Sequence, residues 1–164
     1  MNSYLLETLK NKFPDAVLET HAWRGDETAV IKKEALAEAG AFLKSELGFD
    51  FLMDLTAVDY LPRDPRFELV AHFYSTKHNY RLRLKCPVYA DDAVVASLTP
   101  LWPGANWFER EVYDMFGILF DGHPDLKRIL LPDGWKGHPL RKDYPILLQD
   151  KEWVQINLGI ESGQ

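Results

Sequence analysis

Cysteine is almost missing from this chain. A single residue, Cys86, in 164 positions excludes an internal disulfide, a cysteine-based zinc site and a cysteine-ligated iron–sulfur cluster. Histidine is sparse as well. His21, His72, His78, His123 and His138 form no HExxH or HxH grouping, and each reads as a hydrogen-bonding or loop residue. No apolar run approaches the ~20 residues that span a bilayer. Residues 1–30 hold no charged-then-apolar leader, so the expectation is a soluble, cytosolic chain that could still reach a membrane through a partner. Positive charge is short too. Nineteen Lys and Arg against twenty-five Asp and Glu leave a formal charge of −6, which argues against a nucleic-acid binder, because phosphate neutralisation needs a net basic face. The motifs GxSxG, GxxxxGK[ST] and GxGxxG do not occur. Nothing in the sequence assembles a nucleophile, a base and an oxyanion hole, so the chain lacks the equipment of a self-sufficient enzyme.

What the chain does have is core. Hydrophobic content of 46% and aromatic content of 13% suit one folded domain, which at this length buries roughly two-thirds of its unfolded surface. The acidity is uneven: residues 1–60 carry 6 basic and 11 acidic groups, whereas the two later stretches are nearly balanced.

Ser3 is placed to cap a short helix through Leu5, Leu6 and Leu9 that Pro14 ends. Ala16 to Trp23 and Thr28 to Ile31 read as strands around the turn Arg24-Gly25-Asp26. From Glu34 to Leu47, Leu36, Ala39, Phe42, Leu43 and Leu47 recur at helical spacing, with Gly48 as a stop. Phe51 to Val58 is a mostly apolar run, expected as a central strand. Phe67 to Tyr74 and Tyr80 to Cys86 alternate with period two and predict a hairpin across Ser75 to Asn79. Its second strand turns Leu82, Leu84 and Cys86 one way and Arg81, Arg83 and Lys85 the other, a basic side that faces water or a partner. Asp91 to Leu98 is expected as a short helix and Gly104 to Phe116 as a longer one. Beyond Gly117, Pro124, Pro132, Pro139 and Pro145, with Gly122, Gly134 and Gly137, leave no room for regular elements. That tail is too apolar for a free linker and too broken for a core of its own. It is expected to lie extended on a surface, its own domain's or a partner's. The organisation predicted is an α+β domain over residues 1–120, with a mixed or antiparallel sheet flanked by helices, followed by an extended proline-rich tail over residues 121–164.

The densest chemistry lies in the longer helix. Phe108, Val112, Met115 and Phe116 make its core-facing stripe, and Trp107, Glu111 and Asp114 share another face. The pair Glu111 and Asp114 could bind a divalent cation or serve as acid and base. Arg110, four residues before Asp114, can instead neutralise it, and His123 lies beyond the helix stop, so ion pairing with a partner is the better reading. Two other readings stay open: a metal-dependent hydrolase built on Glu109, Glu111, Asp114 and His123, and a free-standing binding module that uses the Arg81, Arg83 and Lys85 face.

Glu109-Arg110-Glu111, Asp114-Met115-Phe116, His123, Lys127 and Ile129-Leu130 together resemble the signature of the C subunit of bacterial NADH-quinone oxidoreductase (respiratory complex I). Its mitochondrial counterpart is the iron–sulfur-fraction subunit. Asp54-Leu55-Thr56-Ala57-Val58-Asp59-Tyr60, Arg81-Leu82-Arg83, Gly104-Ala105-Asn106-Trp107 and Gly137-His138-Pro139-Leu140-Arg141-Lys142-Asp143-Tyr144-Pro145 resemble the same family. The resemblance runs from about Asp50 to Pro145, and residues 1–49 agree with it in length and expected elements.

The resemblance implies a cofactor-free subunit of the peripheral arm that packs against the D subunit and neighbouring arm subunits. FMN, iron–sulfur clusters and quinone then belong to those partners, and the chain reaches the cytoplasmic face of the cell membrane only through the complex. It implies a tail that wraps its neighbour, with His123 to Leu130 and His138, Arg141, Lys142 and Tyr144 as docking residues. Because the chain ends soon after the last motif, a separate C subunit is expected rather than a C–D fusion. The equivalent subunit of a membrane-bound nickel–iron hydrogenase is the alternative, and the match from Gly137 to Pro145 favours the quinone reductase.

Overall fold

Alternating hydrophobicity builds the centre of the molecule. The computed structural model describes residues 4–145 and 151–158. Strands β3 (Phe51–Asp59), β4 (Phe67–Ser75) and β5 (Tyr80–Val88) form an antiparallel meander. Phe67, Leu69, Ala71 and Phe73 on β4, with Leu82, Leu84, Cys86 and Val88 on β5, are buried on one face. Period-two spacing puts these residues on one side of the pleat, so the same side must be covered. Helices α1 (Tyr4–Lys12), α2 (Leu36–Ser45) and α3 (Ala105–Phe116) supply that cover through Leu5, Leu9, Leu36, Leu43, Val112 and Met115, all in one core cluster.

Strands β1 (Val17–Trp23) and β2 (Asp26–Ile31) form the expected hairpin, with Arg24 at φ 52 and Gly25 at φ 90 in the turn. Strand β2 then runs parallel to β5, so the sheet is mixed, in the order β1-β2-β5-β4-β3. The expected Ser3 cap and residues 146–150 and 159–164 of the tail lie outside the described residues.

Three local expectations change. The run at Phe51 is an edge strand, because the β4–β5 hairpin turns its far side to β2 and leaves β3 outermost. Phe51 and Met53 are accordingly 54% and 41% exposed. Asp91 to Leu98 is not a helix. A 3₁₀ turn at Ala90–Asp92 is followed by β6 (Val94–Ala96), which pairs in parallel with β7 (Leu119–Asp121). A β-branched pair beside a matching segment gains more from a ladder than from an isolated turn of helix. The tail is not wholly irregular either: β7 reaches into it, and α4 (Lys151–Leu158) sets Trp153 against Trp135, centroids 5.8 Å apart.

Residues 123–145 form an irregular strap across the end of α3 and the β3–β4 connection. The strap is bound to its own domain at several points, two of which are buried carboxylates.

Candidate functional site

Helix α3 begins after Gly104 and stops at Gly117, whose φ of 78° lets its N–H reach the Tyr113 carbonyl. The predicted stripe of Val112, Met115 and Phe116 is buried, with Phe108 half-buried beside it. Glu109 and Asp114 are also fully buried, Asp114 against its expected place on the face of Trp107 and Glu111. Glu111 and Trp107 do face outward, Trp107 at 60% exposure.

Glu109 faces the segment that follows β6. Its carboxylate accepts the Ser97 hydroxyl (2.6 Å), the Leu98 N–H (2.6 Å) and the Thr99 hydroxyl (3.1 Å). Burial pushes its pKa above the ordinary glutamate value, and the three donors work against that rise without reversing it. The role of this side chain is to close the backbone turn at residues 97–99.

Asp114 is the first anchor of the strap. One oxygen takes the Arg128 guanidinium at 2.6 Å, and the other accepts three successive N–H groups, from Ile129 (3.1 Å), Leu130 (2.8 Å) and Leu131 (2.8 Å). Burial alone would raise its pKa. The Leu131 N–H, the Arg128 guanidinium and the Leu130 and Ile129 N–H groups outweigh burial and hold it below the usual aspartate value. Arg110 is therefore not its counter-ion. The Arg110 guanidinium lies 5.3 Å from the Trp107 ring centroid and donates to the Lys127 and Arg128 carbonyls at 3.1 and 2.9 Å. A cation clamped on the strap backbone outranks a pairing four residues along the helix, because Asp114 is already saturated.

The other signature residues gather around the same joint. His123 accepts the Asp125 N–H at Nδ1 (3.0 Å), so its Nε2 carries the proton and donates to the Asn106 carbonyl (3.3 Å). His138 Nδ1 donates to the Asp114 carbonyl at 2.9 Å. The ring sits so close to Gly117 that a Cβ there would be 2.7 Å from it. The Met115 carbonyl accepts the Leu140 N–H at 3.1 Å, while its side chain and that of Phe116 enter the core. Tyr144 packs on Gly137, and Lys127 pairs at the surface with Asp125. Leu130 is 61% exposed, with only its backbone engaged.

Asp59 is the second anchor. It accepts Arg66 Nε and Nη2 at 3.0 and 2.7 Å, the Leu61 N–H at 2.9 Å and the Lys142 N–H at 2.8 Å. Burial pulls its pKa upward, but the Arg66 guanidinium and the Lys142 and Leu61 N–H groups prevail and hold it at about 2. Arg66 reaches on to Asp143, which also holds Arg141 at 3.2 Å. Arg141 in turn lies over the Phe67 ring. Sequence reasoning singled out Arg141 and Lys142 but passed over Asp59, Arg66 and Asp143, and it favoured Lys127 where Arg128 makes the ion pair. The usable signal was the acidic end of the Asp54 to Tyr60 motif, an aspartate closing an otherwise apolar strand.

The structure thus separates the residues of the hydrolase reading. Glu109, Asp114 and His123 each face a different partner, Glu111 faces outward, and among the described residues no group of three metal-ligating side chains could hold an ion. No described helix is long and apolar enough to cross a membrane.

The family model described as the respiratory-chain NADH dehydrogenase, 30 Kd subunit, matches residues 29–149. The NADH-quinone oxidoreductase C subunit of Geotalea uraniireducens is 45% identical over 151 residues, which cover 92% of each chain. A trypsin-resistant fragment of Nqo5 superposes with a TM-score of 0.65 at 36% identity, covering 74% of this chain and 96% of that one. A chain of an archaeal membrane-bound sulfane sulfur reductase has the same fold, with a TM-score of 0.74 at 24% identity over 95% of this chain and 90% of that one. With the family model spanning most of the chain and its signature carboxylates seated in the strap joint, the protein belongs to the 30 Kd subunit family of the respiratory-chain NADH dehydrogenase, the family of the NADH-quinone oxidoreductase C subunits.

Proposed function

We propose that the chain is a cofactor-free structural subunit of the peripheral arm of a proton-pumping NADH-quinone oxidoreductase. It packs against the D subunit at the cytoplasmic face of the membrane. FMN, the iron–sulfur clusters and the quinone site reside in neighbouring subunits, and this chain holds them in register while electrons pass from NADH to quinone. It carries no catalytic residue itself. The observation that supports this reading is the use to which the signature is put: Asp114, Arg110, His138 and the Lys142 N–H all fasten the strap to the domain. Charge engaged in this way shapes a surface and leaves no group poised for chemistry.

Native mass spectrometry of the tagged chain purified from its own membranes tests the proposal. The D subunit and other peripheral-arm subunits should co-purify at fixed stoichiometry. Recovery of the chain alone, or with the subunits of a nickel–iron hydrogenase, would overturn it.

A further inference from the structure

The sheet face turned away from the helices has no cover among the described residues, and its middle is chemically incomplete. On β5, Arg83 stands opposite His72 of β4 on one side and Thr28 of β2 on the other. A groove of about 200 Å³ lies here, bounded by Asp26, Glu27, Met53, His72, Arg81 and Arg83.

Arg83 is half-buried, yet among the described residues its guanidinium hydrogen-bonds only to the Thr28 hydroxyl, at 3.3 Å. Arg81 lies 5.9 Å from the Tyr74 ring centroid. Among the described residues neither arginine has a carboxylate within ion-pair distance, whereas the next cation on the strand, Lys85, pairs with Glu68 at 2.8 Å. Asp26 and Asp54 are near enough to act on His72 but do not close on either guanidinium. A guanidinium drawn partly out of water without an anion is unfavourable. The exposed apolar side chain of Met53 lines the same groove, and Phe51 is exposed two residues before it on β3.

We propose that this groove receives an acidic segment of a neighbouring subunit, with a partner carboxylate entering between Arg81 and Arg83. The proposal rests on the subunit reading above and adds the surface and the chemistry of its occupant. A protein segment fits better than a polyphosphate or a lipid headgroup, because Asp26 and Asp54 rim the site and would repel a dense anion. A small free anion would leave the apolar rim unanswered. Charge complementarity of this kind sets register between subunits and disfavours wrong partners.

The test uses the assembled complex carrying Arg81→Lys and Arg83→Lys. A water-soluble carbodiimide joins an amine to a carboxylate only where the two are in contact, and arginine does not react. The expected result is inter-subunit links from position 81 or 83 to partner Asp or Glu residues, absent from the wild type. Links only to Asp26 or Asp54 of the same chain, or none at all, overturn the proposal. A second variant, Arg81→Glu with Arg83→Glu, should lower the yield of co-purifying subunits by about tenfold or more, with the thermal midpoint of the free chain unchanged. An unchanged yield also overturns it. If the wild-type chain brings down no subunits, the subunit reading itself fails, which is a separate result.

Discussion

Arg66 and Asp143 stand 77 positions apart and meet in a two-pronged pair, 2.8 Å from Nη1 to Oδ2 and 2.7 Å from Nη2 to Oδ1. The same guanidinium holds Asp59, so one arginine ties the end of β3 to the far end of the strap. Asp114 does the equivalent at the near end. The strap is thus fastened at both ends to carboxylates of the domain.

Replacing Asp114 with Ala leaves Arg128 and three backbone N–H groups without their acceptor. Loss of one member of a buried ion pair costs about 3 kcal/mol or more. Urea unfolding should show this loss, and brief trypsin treatment should cut at Lys127 or Arg128 far faster than in the wild type. Equal stability and equal digestion would remove Asp114 from the anchor role.

Acid should release the strap at its second anchor. Asp59 titrates at about 2 when folded against 3.8 for the free group, and Asp143 is also depressed, first by Arg66 and then by Arg141. A folded pKa below the unfolded one gives stability that is complete above the unfolded value and disappears as pH falls through the folded one. Asp59 therefore contributes roughly 2 kcal/mol that is flat above about pH 5 and declines between about 4 and 2. Urea midpoints across that range check the slope, and Asp59→Asn should flatten it.

Glu109 works in the opposite sense. Its folded pKa is raised by burial, so its stabilising contribution is present at low pH and declines as pH climbs from the unfolded value through the folded one. Glu109→Gln keeps the shape and removes the charge, so it should lie within about 1 kcal/mol of the wild type and compare more favourably as pH rises. Thermal melts at a series of pH values rising from the ordinary glutamate value of 4.5 provide the comparison; a constant offset between the two proteins across the whole series would count against the assignment.

Gly117→Ala brings a β-carbon to within 2.7 Å of the His138 ring at a backbone φ of 78°. Strain plus displacement of the ring should cost about 1–3 kcal/mol. The imidazole resonances of His138 should move as well, which a strained turn alone would not require.

Cys86 is buried on the core face of β5, and desolvation pushes its thiol well above the ordinary cysteine range. Iodoacetamide should leave the native chain unmodified and label it fully in denaturant. Labelling at a measurable rate without denaturant would show that the sheet opens locally.

Elements built on local periodicity were legible in the sequence: the β1–β2 and β4–β5 hairpins and helix α3 stand where the spacing of apolar residues put them. What was not legible depends on distant partners. Val94 to Ala96 is a strand because Leu119 to Asp121 lies beside it, and no local pattern reveals that pairing. The pairing of Arg110 with Asp114 had good helical spacing and lost to Arg128, which comes from beyond the helix. Asp59 looked like one polar residue at a strand end, and its importance depends on Arg66, Lys142 and Asp143 arriving around it. Buried charge was the general difficulty, because a carboxylate surrounded by backbone N–H groups can occupy a helix face that polarity alone assigns to water.

The grip on Asp114 has a consequence for how this region can vary. Three of its four donors are main-chain amides, so the side chains at positions 129–131 are not what the carboxylate reads. Those positions can drift among apolar residues, and the exposed Leu130 among polar ones, with little effect on the anchor. Proline at any of the three, or a one-residue insertion or deletion between Arg128 and Leu131, would break it at once. The joint tolerates changes of letter and forbids changes of spacing.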